Sequence, residues 1–173
     1  MENLKIKRVC GFNVSSIHFS MMILPYLNKE LEEKKEIIIL LEGNLERNIK
    51  QVLSKVTLNK EAKEKILSLD WKSTNIDKVN IEKKIKQKIT KEKNLCFIIY
   101  GDEKYINKAN KDLNICFTKY EKFITNKEIK IINSYSVTDF KENIREILDN
   151  HDTIFNTSGE HKIEEIFNDY HSA

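Results

Sequence analysis

The chain has 173 residues, 40% of them apolar and 33% charged, which suits one folded domain with a real core and excludes low-hydrophobicity disorder. Thirty basic and 27 acidic residues leave a net charge of +3. With the signs interspersed there is no one-sided basic stripe of the kind that tracks nucleic acid.

Charged residues occupy the chain start, and Val9–Phe12 reads as the first short buried strand. Asn13–Ser16 is a loop, and Ser15 or Ser16 can cap the helix that follows. That helix, carrying Ile17, Met21, Leu24, Leu27 and Leu31 near helical spacing, is expected to reach about Lys35 and to bend at Pro25. Ile37–Leu41 is an unbroken aliphatic run, as in a strand covered on both faces. Leu45, Ile49, Val52, Leu53 and Val56 mark an amphipathic helix. A short helix over Asn59–Leu67 and a short strand over Leu67–Trp71 come next.

Asn75 or Asp77 can cap a basic helix reaching Lys93, with Ile81, Ile85 and Ile89 inward. Leu95–Tyr100 is the second strong buried strand, ended by Gly101-Asp102. Ile106, Ala109, Leu113, Cys116, Phe117, Tyr120 and Phe123 form the clearest helical stripe in the chain. Ile129–Ile132 is a strand, Val137–Asp139 leads to a helix near Glu142–Asn150, and Thr153–Phe155 reads as a last strand. The division is one domain over residues 1–160 and a polar tail over 161–173. Alternating strands and helices imply an α/β three-layer sandwich around a mainly parallel sheet.

Open parallel sheets bind ligands beyond the carboxyl ends of their strands. The first such loop, Gly11-Phe12-Asn13-Val14-Ser15-Ser16, has one glycine and no lysine, so it is not a phosphate-binding loop. Glu42, Asp70-Trp71, Gly101-Asp102 and Asn133-Ser134-Tyr135-Ser136 follow the other strands. Glu42, Asp70 and Asp102 together could serve as acid and base or hold Mg²⁺, but singly such residues cap helices. His18, His151, His161 and His171 lack metal spacing, and no serine sits in a nucleophile elbow. No catalytic residue, metal or cofactor is assigned. Cys10, Cys96 and Cys116 read as core thiols. The apolar stretch Ile17–Leu27 is too short and polar to span a bilayer, and a cytoplasmic location is expected.

Several short matches in order carry a resemblance: Arg8-Val9-Cys10-Gly11-Phe12, Leu24-Pro25-Tyr26-Leu27, Glu33–Leu41, Ile66–Trp71, Ile98-Ile99-Tyr100-Gly101-Asp102, Tyr120–Phe123 and Ile131–Ser136. Over roughly Arg8–Gly159 the chain resembles the MEDS domain, the sensory domain found in a dichloromethane-responsive regulator and similar to RecA- and KaiC-type ATPases. It departs from that pattern at Arg8, where the family usually has His, and at Ser134-Tyr135-Ser136, where Gln-Tyr-Asp is common. The resemblance implies a RecA/KaiC-like fold without a P-loop. It also implies a stand-alone sensory or regulatory module in signal transduction or transcription control, binding a small, partly apolar ligand or a partner protein. The alternative is a protein-interaction module acting on a kinase, sigma factor or transcription regulator without a small ligand. A regulatory partner or a homo-oligomer is expected, and neither direct nucleic-acid nor membrane binding. The expected pocket is Cys10, Phe12, Asn13, Glu42, Trp71, Gly101, Asp102 and Tyr135.

Overall fold

Strands β1 (Lys5–Asn13), β2 (Glu36–Leu41), β3 (Leu95–Gly101), β4 (Glu128–Ser136), β5 (Thr153–Asn156) and β6 (Gly159–Lys162) form one sheet in the order β2-β3-β4-β1-β5-β6. The computed structural model describes residues 4–89, 93–136 and 140–168, with 140–143 as backbone only. Neighbouring strands run parallel except for the antiparallel β5–β6 hairpin. β1 is central, with Val9 opposite Ile132 of β4 and Thr153 of β5.

The helices are α1 (Ser16–Glu32), α2 (Glu46–Leu53), α3 (Lys60–Leu67), α4 (Lys78–Lys88), α5 (Glu103–Lys119), α6 (Glu121–Ile124), α7 (Phe140–Asp149) and α8 (Ile163–Ile166). Ser15, Asn59, Asp77 and Asp102 cap α1, α3, α4 and α5 by accepting a backbone N–H two or three residues into each helix, which satisfies donors the first turn leaves unpaired. Lys34 and Asn126 adopt left-handed φ values of 58° and 71°, turning the chain out of α1 and α6.

Side chains alternate across the sheet. Val9, Ile39, Leu41, Ile98, Ile132 and Phe155 pack against α1, α2 and α3. Cys10, Leu40, Phe97, Ile99, Ile131 and Ile154 face the side covered by α4, α5, α7 and α8. The expected α/β three-layer sandwich with a mainly parallel sheet is therefore the observed architecture.

Several boundaries differ. Leu67–Trp71 is not a strand: Leu67 is the exposed last residue of α3, the chain turns at Ser68-Leu69, and the Trp71 indole folds back to donate to the Ile66 carbonyl at 2.8 Å. The long helical stripe breaks at Tyr120, so Phe123 lies on α6 and is exposed instead of buried. β4 continues through Asn133–Ser136 instead of ending at the expected Ile132. α4 ends at Lys88, short of the expected Lys93, and Thr90–Glu92 and Val137–Asp139 lie outside the described residues. The boundary at residue 160 falls inside β6, and Ile163 beyond it is buried in the core.

Candidate functional site

The chain leaves β1 for α1 on one side of the sheet, and leaves β3 and β4 for α5 and α7 on the other. The switch in direction therefore falls between β1 and β4, and the crevice where open α/β sheets place ligands lies beyond their carboxyl ends, at Asn13 and Ser136.

The residues expected at the strand ends separate into distinct settings. Asn13 is buried and donates to Ser134 Oγ at 3.0 Å and to the Tyr135 carbonyl at 3.1 Å. The following loop closes on itself: the Val14 N–H donates to His18 Nδ1 at 3.0 Å, and the His18 N–H to Ser15 Oγ at 3.0 Å. Glu42, Gly101 and Asp102 do come together. The Glu42 carboxylate accepts the Asp102 N–H at 3.1 Å, and Asp102 accepts the Tyr105 N–H at 2.7 Å. A Cβ on Gly101 would stand 2.7 Å from the Tyr105 ring, so glycine makes room for that ring. This cluster forms a turn and a helix cap.

Trp71 is buried in the core on the α1 side. Cys10 is buried in the opposite core, donates to the Thr153 carbonyl at 3.6 Å, and has its thiol pushed up to about 12 by burial. Phe12 and Tyr135 pack ring to ring at 6.0 Å, with Phe167 on the other edge of Phe12 at 6.5 Å. Burial raises the Tyr135 phenol above its ordinary value. Of the eight residues, only Tyr135 lines the groove described next.

That groove runs between α5 and α7 over β1 and β4, with a cavity of about 430 Å³. Its floor is polar: Arg8 from β1 and Asn133 from β4. A strand at the centre of a parallel sheet is ordinarily apolar on both faces. Arg8 donates to Asn110 Oδ1 at 3.0 Å and to Asn114 Oδ1 at 3.4 Å. Asn110 Nδ2 donates to the Ile106 carbonyl at 2.9 Å and to Asn133 Oδ1 at 3.0 Å. Asn133 Nδ2 lies 3.0 Å from His151 Nε2, and His151 Nδ1 lies 2.6 Å from the Ile147 carbonyl.

The directions of these bonds fix the histidine. A carbonyl only accepts, so Nδ1 carries the proton; Asn133 donates, so Nε2 accepts. A second proton on Nε2 would face the Asn133 N–H₂. Burial holds the His151 pKa below its ordinary value, and the Arg8 charge adds to that effect. Burial likewise lowers the Arg8 pKa, against the opposing pull of Asp152.

These residues carry no motif that marks them as a site in the sequence. Asn107, Asn110 and Asn114 recur at helical spacing but look like a solvated face, and Arg8 looks like the end of a charged leader into the first strand. The one available signal is that Arg8 and Asn133 each sit two residues from core positions of the same strand face, Cys10 and Ile131.

A larger cavity of about 720 Å³ lies by Tyr120, Phe123 and Ile89, and its lining lacks the polar strand floor. Among the described residues, no group of three or more His, Cys, Asp or Glu is placed to hold a metal ion. No helix among them is long and apolar enough to cross a membrane. No protein-family model matches the chain, and no curated protein matches it.

Proposed function

We propose that this chain is a sensory or regulatory binding module, and that its ligand is a small molecule held in the groove between α5 and α7. One observation carries the reading. Arg8 and Asn133 interrupt the apolar surface of the two central strands midway along them, under a cavity of metabolite size. Polar groups that break the local rules of a core are expected where function requires them. The MEDS-like order of short motifs supports a sensory role of the same kind.

Binding here has a route to a structural response. The floor is tied by hydrogen bonds to α5 through Asn110 and to the end of α7 through His151. A ligand that takes over any of these bonds changes how the two helices are held on the sheet, and can thus alter the surface offered to a regulatory partner.

A fragment screen by NMR on the isotope-labelled chain tests the reading. The expected result is that binders shift the side-chain amides of Asn110 and Asn133 and raise the melting temperature. Binders that map instead to the Glu42–Asp102 turn, with the groove amides unmoved, would contradict it.

A further inference from the structure

Arg8 brings a permanent positive charge to the floor of the groove. Among the described residues no carboxylate forms an ion pair with its guanidinium; the bonds it makes there go to the amide oxygens of Asn110 and Asn114. Asp152 lies beside Arg8 without bridging it: its carboxylate accepts the Arg8 main-chain N–H at 2.8 Å, and its charge acts on the guanidinium without an ion pair. A guanidinium has five N–H donors, and a neutral amide oxygen is a weaker partner for it than an oxyanion. A half-buried guanidinium whose side-chain bonds go to amides, with no carboxylate bridging it, keeps donors for an oxyanion.

The walls extend the pattern. Lys111 adds a second cation, and Asn107 and Asn150 add amides. Two carboxylates, Glu103 and Glu146, also line the cavity. Glu103 is the first residue of α5, seven residues before Asn110, which places it roughly 10 Å along the helix from the residue that Arg8 binds. Glu146 lies on α7 one turn before Asn150, so the groove carries both signs, and its Arg8 end is marked by a guanidinium that no carboxylate bridges.

Resting on the reading of the groove as the ligand site, we infer that the ligand is a small oxyanion, a carboxylate or a phosphate. Arg8 is its principal contact and Lys111 a secondary one. The asparagine amides complete its coordination, and an anion there shares the Arg8 donors now directed at Asn110 and Asn114.

The test is NMR titration of the full chain with acetate, succinate and inorganic phosphate through the millimolar range, following the Arg8 Nε–H and the Asn110 side-chain amide. At least one anion is expected to shift both signals saturably, and added sodium chloride to weaken the effect. Saturation by succinate or acetate alone assigns a carboxylate ligand; saturation by phosphate alone assigns a phosphate. Arg8→Met is expected to weaken binding about tenfold or more, the loss of one charge-assisted contact. Arg8→Lys, which keeps the charge without the fork, should fall between. Absence of any shift in the unmodified chain, or an unchanged affinity in both variants, would overturn the inference. Neutral fragments that still shift Asn110 and Asn133 would then leave the groove as the site and remove only its charge preference. Silence from anions and fragments alike would remove the groove reading as well.

Discussion

The two sides of the sheet use the same central strand in opposite ways. On the α1 side, the space above Gly11 is filled by the Phe155 ring, so closely that a Cβ there would come within 2.1 Å of it. The polar groups on that side are charge-matched. Glu30 is 1% exposed and accepts from Lys35 at 2.5 Å and Lys130 at 2.6 Å. Glu160 of the β5–β6 hairpin receives Lys7, and Tyr26 at 2.5 Å. On the α5–α7 side, three residues back along β1, Arg8 faces a cavity and is held by neutral amides. A closed, charge-balanced network serves the fold. The open one, where no carboxylate bridges the guanidinium, is where we place the ligand.

The largest expected effect breaks the closed side. Glu30→Gln leaves Lys35 and Lys130 without their shared carboxylate and should cost about 3 kcal/mol, read as a lower urea midpoint. Gly11→Ala forces a methyl into the Phe155 ring and should cost about 2 kcal/mol by the same measurement.

A smaller effect separates the two sides by pH. The folded-state pKa of His151 lies below its ordinary 6.5, so the unfolded chain binds the proton more readily. Its contribution is complete above pH 6.5 and is lost as pH falls from there toward the folded value. The Glu160 carboxyl responds later. Burial would raise its pKa, but the hydrogen bonds from Lys7 and Tyr26 and the charge of Lys130 hold it at about 2. Its contribution is present above its ordinary 4.5 and fades between 4.5 and about 2. Urea unfolding across this range should show a first decline that His151→Gln removes and a second that Glu160→Gln removes. A first decline that survives His151→Gln would place its origin elsewhere.

The fold was legible because its signals are local. Ile37–Leu41 and Leu95–Tyr100 are runs that only a doubly covered strand accommodates, and the caps Ser15, Asn59, Asp77 and Asp102 stand at the helix starts that periodicity marks. The tail was harder to read because β6 and α8 are four residues each and gain their order from pairing with β5 and from burying Ile163, which are non-local effects. The site was least legible. Strand-end logic correctly brought Glu42 near Asp102, yet the groove depends on Arg8 meeting Asn110 across 102 residues and Asn133 meeting His151 across 18. No spacing rule joins a strand arginine to a helix asparagine, and each alone looks solvated.

The central claim is that Arg8 is kept for a ligand and not for the fold, and one pair of urea titrations tests it most directly. Arg8→Met should leave the unfolding midpoint unchanged or raise stability by up to about 1 kcal/mol, because a half-buried charge that no carboxylate bridges is replaced by an apolar side chain of similar length, while Glu30→Gln lowers it. A loss in Arg8→Met as large as in Glu30→Gln would mean that the polar floor holds the protein together, and would contradict the account.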